Sequence, residues 1–560
     1  MRATPHRRVE PPDANHAATA IRERAASRGA GIYVLLLLAT LVLTPELILL
    51  GYDQGYGQVL AVIAALIALA LVPWKPIFGL YLIVICSVVI EQEPLIATPI
   101  GTDHLNIFYW PPRLQGMPER PIGVYILAVL LIIIGARVLL RRRMLIGGRL
   151  FYPFIFFLGC IAFGILYGMA TGGDFRIIVL EIRPWWYLFV TYILAYNIVS
   201  DIKHIRVIFW ILVLGTAVKG VQGVYIVQTY LGGAYQGHNE IMAHEQSYFF
   251  VLVLLLLVMM LLHHFQRGLF FAILVSLPCL LLALYANNRR ADYVALLIGI
   301  GVVWTLVIIL RPESRRRLVT ALVICLILGT GYVVTFQGSS GALGEPARAV
   351  VSVFNPTAAD QRDADSNAYR VIENYDLKYT ESQSPIFGYG FGKPFLQPIV
   401  LPNVVELDPY YLYIPHNNVL WMWMRLGPVG FAALWYLIGS AVVTGCLIAR
   451  RLKNTQMQFF AIFAIAALVM EVILAYGDYQ FFFYRNMIFV GVLLGVLMKV
   501  PAIERAALGL PVNDEKEHDE DLTVGEPRKP AKAAQRRRLR APLPTHAAMV
   551  RVAETVAPGE

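Results

Sequence analysis

The chain has 560 residues, of which 58% are hydrophobic and only 15% are charged, and its mean hydropathy is +0.62. Soluble domains contain about 45–50% apolar and about 25% charged residues, so this composition excludes an ordinary soluble protein. The net charge of +10 does not indicate a nucleic-acid partner, because the basic clusters at 141–143, 315–317 and 450–451 lie between apolar runs. Cytoplasmic loops of membrane proteins have this pattern, and the expected partner is the lipid bilayer.

Apolar runs of roughly 20 residues fill most of the chain after a polar N-terminal tail, residues 1–30, which contains six arginines. About 20 apolar residues let a helix cross roughly 30 Å of hydrocarbon, and a segment in lipid must satisfy its own backbone hydrogen bonds. The sequence therefore predicts an all-α polytopic membrane protein with a transmembrane domain over residues 31–500. The predicted spans are 31–50, 56–73, 76–92, 121–140, 151–170, 179–199, 207–230, 247–265, 268–286, 292–310, 318–336, 419–449, 457–476 and 483–500.

These fourteen spans become twelve if the closely spaced pair at 56–92 is a re-entrant element. Either count places the basic loops on the side of the N-terminus, which the positive-inside rule assigns to the cytoplasm. The C-terminal tail, residues 501–560, is then also cytoplasmic, and its mixture of charged residues with Ala and Pro predicts disorder. The largest loop, about 337–414, is predicted to be extracytoplasmic.

Four arginines depart from the positive-inside pattern, because they lie on the predicted outer side or at membrane depth: Arg183, Arg289, Arg290 and Arg370. A charge at the centre of a membrane helix costs at least about 2.5–3.5 kcal/mol, so such a residue usually faces a partner or a cavity. Individually they have simple explanations; Arg183, for example, could pair with Glu181. Together on one outer face they favour an anion-binding pocket, because the guanidinium fork matches phosphate oxygens.

A histidine, His416, enters the membrane from the large outer loop at the head of a span. Imidazole titrates near neutrality, so His416 could act as a general base or simply cap the helix; its arginine companions and Asn417 favour the base. Asn417 itself is predicted to bind the substrate. In an earlier outer loop, Glu240 and His244 are predicted to contact sugar. A metal site at His238 and His244 is an alternative, although no H-E-x-x-H pattern is present.

The segment from His416-Asn417-Asn418 to Gly427-Pro428-Val429-Gly430 resembles the H-N-x-x-L…G-x-x-G signature of the O-antigen ligase and polymerase superfamily. As in that family, a segment with Arg370 and a P-x-x-G-x-G-x-G element come before it. This element, Pro385 to Gly392, is predicted to form a tight turn, because glycine permits positive φ angles.

Two further elements extend the resemblance toward the N-terminus. The turn at 287–291 is similar to the family's S-x-S-R-x-A element, in which Arg290 fits the family arginine better than Arg289 does. Arg183 matches an arginine at the outer end of an earlier helix. The resemblance covers roughly 179–450, and the chain departs from the family in its larger number of spans and its long C-terminal tail.

The resemblance implies a metal-independent glycosyltransferase of the bacterial inner membrane, similar to the GT-C class and without a cofactor. Its donor would be a glycan linked to undecaprenyl pyrophosphate, and its acceptor another lipid-linked glycan, lipid A-core or a protein. His416 would take the proton of the attacking hydroxyl. Arg183, Arg290 and Arg370 would hold the pyrophosphate, where fixed cations stabilise the charge that develops as the leaving group departs.

Two choices stay open at this point. Among acceptors we favour another lipid-linked glycan, because polysaccharide polymerases are the broader use of this motif set. The alternative from another class is a transporter or lipid-glycan flippase, which fourteen spans would suit. Transporters often contain repeats with broken helices near the midplane; the sequence shows no such repeat, and its polar residues cluster at the outer face, which favours the transferase.

Overall fold

The computed structural model describes residues 72, 75–91, 96, 107–108, 122–141, 147–235, 240–262, 266–311, 315–339, 344–354, 361–401 and 409–510. Within these residues every regular element is a helix, which confirms the predicted all-α fold. The predicted N-terminal tail, the first two predicted spans except residue 72, and the chain after residue 510 lie outside them. The chain divides into two units, 1–511 and 512–560, and the helices described below belong to the first.

The described helices fall into two groups. Those numbered α1–α9 and α12–α14 correspond one to one to the twelve predicted spans from residue 76 onward, whereas α10 and α11 lie within the predicted large loop. Their bounds are α1 (Pro76–Val89), α2 (Ile122–Arg141), α3 (Phe151–Ala170), α4 (Phe175–Ile198), α5 (Ile202–Tyr230), α6 (His244–Leu262), α7 (Arg267–Ala286), α8 (Arg290–Leu310), α9 (Arg315–Phe336), α10 (Glu345–Phe354), α11 (Gln361–Ser382), α12 (Asn418–Arg451), α13 (Thr455–Gly477) and α14 (Tyr484–Ala507).

Nine of these helices, α3–α8 and α12–α14, are long and apolar enough to cross a membrane. Shorter apolar segments occur in α1, α2 and α9. Nine spans and three shorter apolar helices within the described part of the chain confirm a polytopic membrane protein. The last helix continues to Ala507, past the predicted end of the transmembrane domain at residue 500.

The spans differ in how deeply they lie in the bundle. The membrane-spanning windows of α13 and α14 are 78% and 83% buried, whereas those of α7 and α8 are 33% and 28% buried. A helix that is apolar on every side and buried on every side belongs in the interior. Helices α13 and α14 therefore form the centre of the bundle, and α7 and α8 present most of their surface outward.

The predicted glycine turn packs against a kink in α12. Gly427 has φ 65°, which an L side chain rarely adopts, and Pro428 cannot donate a backbone hydrogen bond. The carbonyls freed on the preceding turn of α12 accept hydrogen bonds from Tyr389 N and Gly390 N, at 2.6 and 3.0 Å. Glycines 388, 390 and 392 all have positive φ angles, which confirms the predicted tight turn. The turn thus joins the large loop firmly to α12.

One end of the bundle gathers all the predicted site residues, and we call it the loop face. Helices α4, α6, α8, α12 and α14 begin there, and α3, α5, α7 and α13 end there. Contacts across this face include Asp174 N with Gly392 O at 2.9 Å and His244 with Asp478 at 3.1 Å. The loop helix α11 packs against α12 at the same end.

Candidate active site at the loop face

His416 immediately precedes α12 and is held by a carboxylate of α11. Its ring Nδ1 lies 3.1 Å from Glu373 Oε1, and its backbone N donates to Glu373 Oε2 at 3.0 Å. Glu373 is only 1% exposed. An ionised carboxylate can only accept hydrogen bonds, so we assign the ring proton to Nδ1. The other ring nitrogen, Nε2, then carries a lone pair and has no hydrogen-bond partner among the described residues.

Three tyrosines surround the His416 ring. Tyr411 stacks on it with ring centroids 5.9 Å apart, and Tyr369 and Tyr479 each approach it edge-on, with centroids 5.5 Å away. Burial raises the pKa of the Tyr369 phenol, and the charge of Glu373 adds to the effect, so this phenol stays neutral.

A second histidine lies on the other side of Tyr479 and belongs to a group that we call the closed quartet: Glu240, His244, Arg289 and Asp478. His244 Nδ1 is 3.1 Å from Asp478, and its Nε2 is 3.0 Å from Glu240. Arg289 forms an ion pair with Glu240, and its Nη1 is 3.9 Å from Asp478. Only the doubly protonated imidazole can donate to both carboxylates, so two cations face two anions.

The electrostatics of the closed quartet agree with this reading. Burial raises the pKa of Asp478, but the charges of His244, Arg289 and His416 outweigh it and hold that pKa well below its usual range. Burial also raises the pKa of Glu240, and His244 and Arg289 again bring it below the usual value. Both carboxylates are therefore ionised at neutral pH, and the four charges balance one another.

The segment that carries Glu240 and His244 is fixed to the end of α7. The side chain of Asn287 accepts hydrogen bonds from Ile241 N and Met242 N, at 3.3 and 2.9 Å. Its amide donates to Ser247 Oγ at 2.7 Å. Asn287 is completely buried, and these contacts hold Ile241, Met242 and the start of α6 against the end of α7.

Buried ion pairs connect the helices below the loop face. Each pair joins two helices or a helix and an adjoining segment, and each consists of side chains at most 3% exposed. A buried charge is tolerated only when it is paired, so these pairs fix the arrangement of the bundle. They are Glu181–Arg425, Glu245–Arg485 and Glu91–Lys219.

The Glu181–Arg425 pair also positions the glycine turn. Glu181 accepts a hydrogen bond from Gly392 N at 2.6 Å, and Arg425 donates to Gly390 O at 2.9 Å. Glu181 is thus engaged by Arg425 and not by Arg183, which had been its expected partner in the simpler interpretation. The guanidinium of Arg183 instead lies over a ring on α14, 5.0 Å from the centroid of Tyr484.

The other predicted site residues lie at the loop face in different settings. Arg370 is on α11, one turn before Glu373, and its buried Nε has no hydrogen-bond partner among the described residues. Arg290 begins α8 directly after Arg289. Asn417 caps α12 by accepting from Leu420 N at 2.9 Å.

The structure thus brings His244 and Arg289 into direct contact with Glu240. Tyr479 connects them to His416, because its ring also lies 4.9 Å from the ring of His244. In the described part of the chain, no group of three or more His, Cys, Asp or Glu side chains is arranged to hold a metal ion. His238, of the alternative metal site, lies outside the described residues.

Sequence reasoning missed three residues of this site: Glu373, Asp478 and Tyr479. Asp478 and Tyr479 interrupt the apolar sequence between the last two spans, and an acidic residue at such a break is a usable signal. Glu373 carries no comparable signal, because it is one of several charged residues on a polar loop helix.

Comparison with known families agrees with these motifs. Residues 252–435 match the model of a family described as O-antigen ligase, and no curated protein matches the chain. The matched segment runs from α6 into α12 and includes Arg290, Arg370, Glu373 and His416, but not Asp478. The match confirms that the chain resembles the O-antigen ligase and polymerase superfamily.

Proposed function

We propose that this protein is a metal-independent glycan transferase of the bacterial inner membrane. Its donor is a glycan linked to undecaprenyl pyrophosphate, and it works at the loop face, which we assign to the extracytoplasmic side. The family match supports O-antigen ligase or polymerase activity. Among the possible acceptors, another lipid-linked glycan, lipid A-core and protein, we retain the lipid-linked glycan.

The observation that carries this proposal is the setting of His416. Its side chain is 17% exposed, its orientation is fixed by Glu373, and its Nε2 has no described hydrogen-bond partner. A general base needs an accessible lone pair within hydrogen-bond reach of the proton that it removes. Three tyrosine rings pack around the imidazole and hold it in place. His416 is thus equipped to accept a proton from an acceptor hydroxyl.

In the proposed reaction, an acceptor hydroxyl oxygen forms a bond to the anomeric carbon of the donor sugar. The bond from that carbon to the diphosphate oxygen breaks, and the electron pair leaves with the diphosphate. The hydroxyl proton moves to His416 Nε2. The leaving group gains negative charge, and Arg183, Arg290 and Arg370 are the residues that we propose to stabilise it, since fixed cations in a site of low polarity are effective there.

The test is glycan transfer by the purified protein, with undecaprenyl-pyrophosphate glycan as donor, the same lipid or lipid A-core as acceptor, and a chelator present. General acid–base help contributes about 10²–10⁴-fold, so His416→Ala is expected to lower turnover by that order. His416→Gln separates hydrogen bonding from proton transfer, since an amide cannot take the proton. Near-normal turnover of His416→Ala would show that His416 is not the general base and would favour the alternative role of helix capping.

Two controls separate the alternatives. Loss of wild-type activity in the chelator would revive a metal mechanism. Movement of lipid-linked glycan across vesicle membranes without product would favour the flippase. Single cysteines at Ser339 and Ser384, tested with an impermeant thiol reagent on intact cells, should react if the loop face is extracytoplasmic.

A further inference from the structure

We propose that Glu373 is the positioning residue of His416: it fixes the imidazole with Nε2 toward the acceptor and stabilises the protonated form of the ring. This inference rests on the proposed role of His416 in glycan transfer. It assigns a function to a carboxylate on the loop helix α11, outside the membrane-spanning part of the protein.

The geometry joins one carboxylate to two groups of a single residue. Oε1 of Glu373 is 3.1 Å from His416 Nδ1, and Oε2 accepts from the backbone N of His416 at 3.0 Å. The backbone contact fixes the position of the residue, and the ring contact fixes both its rotation and its tautomer. A base oriented by a carboxylate on its far nitrogen is the arrangement that proton abstraction requires.

Among the described residues, His416 is the only one that forms an ion pair with Glu373. Glu373 is 1% exposed, His416 is the only described residue that hydrogen-bonds its carboxylate, and no described Lys or Arg pairs with it. A buried carboxylate without a cationic partner is costly. Arrival of a proton on His416 supplies that partner, so the buried charge stabilises the state in which the acceptor proton has been transferred.

Glu373 is the only carboxylate among the described residues that hydrogen-bonds the ring of His416. Asp478, whose charge also interacts with that of His416, hydrogen-bonds the ring of His244 instead. The titratable and charged groups that face or adjoin His416 are Tyr369, Arg370, Glu373 and Asp376 on α11, Tyr411 before α12, and Asp478 and Tyr479 between α13 and α14.

Proton transfer in this scheme is balanced at a single nitrogen. The acceptor hydroxyl loses its proton to Nε2 of His416 as its oxygen bonds to the anomeric carbon and the diphosphate leaves. The proton on Nδ1 stays on the ring and remains hydrogen-bonded to Glu373. No proton moves to the carboxylate, so its task is orientation and charge stabilisation.

The experiment compares Glu373→Gln with wild type over a range of pH. The amide keeps the size of the side chain and one acceptor oxygen but removes the charge. We expect kcat to fall by about 10²-fold, within the range that a general base contributes, with little change in KM for the lipid-linked donor. The acidic limb of the pH–rate profile should move to lower pH by about one pH unit or more, because the nearby negative charge is lost.

Conservative and double variants keep the test decisive. Glu373→Asp retains the charge, so the acidic limb should stay in place even if kcat falls, and it serves if the Gln variant does not fold. Glu373→Gln should cost nothing further in a His416→Ala background, since a positioning residue acts only through the group that it positions. Additive losses in the double variant would overturn the inference.

Two matched controls separate positioning from structure. Asn374, the next residue on α11, is uncharged, and its Oδ1 accepts a hydrogen bond from Asn417 Nδ2 at 2.9 Å. Like Glu373, it therefore links α11 to the segment that begins α12. Asn374→Ala should lower thermal stability without moving the pH profile. Glu381→Gln, two turns further along α11, should leave both unchanged.

The outcomes also distinguish this inference from the proposed function. An unchanged kcat and pH profile in Glu373→Gln, together with an inactive His416→Ala, would overturn the positioning role and leave the base intact. An active His416→Ala would overturn the proposed base itself, whatever Glu373→Gln shows.

Discussion

The loop face contains two histidines in carboxylate surroundings, and they differ in one respect. Both ring nitrogens of His244 bind carboxylates, Asp478 on one side and Glu240 on the other. Only one ring nitrogen of His416 is bound, to Glu373. The first ring is protonated on both nitrogens and has no lone pair to offer; the second has one. His244, with both ring nitrogens hydrogen-bonded, is suited to a structural role. His416, with one nitrogen free of described partners, is suited to exchange a proton.

The same difference applies to the arginines. Arg289 is engaged by Glu240 and lies near Asp478, so its charge is balanced within the closed quartet. Arg370 has a buried Nε without a described hydrogen-bond partner. Substrate binding by Glu240, His244 and Arg289 remains a prediction, and their mutual contacts give these residues a structural role beside it.

The largest effect is expected when the closed quartet loses one anion. Asp478→Asn leaves the charges of His244 and Arg289 with Glu240 as their one remaining shared anion, and removing one member of a buried pair costs about 3–5 kcal/mol. Thermal unfolding in detergent, followed by tryptophan fluorescence, measures the loss. Glu381→Gln, an acid-to-amide change on α11, is the control.

The pH dependence of this loss has a definite sign. The folded-state pKa of Asp478 lies below its unfolded value of about 3.9. Its stabilising contribution is therefore present above that value and is lost as the pH falls through the folded-state pKa. The difference between wild type and Asp478→Asn should therefore stay constant from about pH 5 to about pH 6, above the titration of free Asp and below that of a free imidazole. A difference that disappears within that range would contradict the quartet's charge balance.

Arginine-to-lysine changes test the difference between Arg370 and Arg289, with smaller expected effects than Asp478→Asn. Arg370→Lys keeps the charge but loses the bidentate fork, and hydrogen bonds to charged groups are worth about 1.5–3 kcal/mol. We expect a loss of about tenfold or more in glycan transfer, with little change in thermal stability. Arg289→Lys should lower stability more than Arg370→Lys does, because Arg289 holds two carboxylates.

The matched control is Arg451→Lys, at the far end of α12. It should change neither activity nor stability. If Arg370→Lys keeps full activity while Arg289→Lys loses it without loss of stability, the two arginines have been assigned the wrong way round.

Hydropathy was sufficient to predict the helices, because each span from residue 76 onward is a continuous apolar run bounded by polar residues. The glycine turn was also predictable, since alternate glycines at 388, 390 and 392 are unusual unless the backbone needs positive φ angles. These features depend on residues that are close in sequence.

The partners of the site residues were not predictable in the same way. Glu373 is 43 residues from His416, and Asp478 is 234 residues from His244. Such pairs depend on which helices pack together, and apolar periodicity does not encode this. The chemistry of His416 was therefore inferred from its residue type and motif, whereas its distinction from His244 required the structure.

The smallest effect concerns Asn417, which was predicted to bind substrate. Its side chain caps α12 through Leu420 N and donates to Asn374 Oδ1, both at 2.9 Å. Loss of an N-cap costs typically about 1 kcal/mol, so Asn417→Ala should lower the thermal unfolding temperature slightly.

Asn454 caps α13 at the opposite end of the bundle, where it accepts from Gln456 N and Met457 N. Asn454→Ala makes the same chemical change away from the site. If Asn417 only caps, the two variants should lose similar stability and transfer glycan at similar rates per folded molecule. A much larger loss of transfer in Asn417→Ala would instead show that the Asn417 amide binds the substrate.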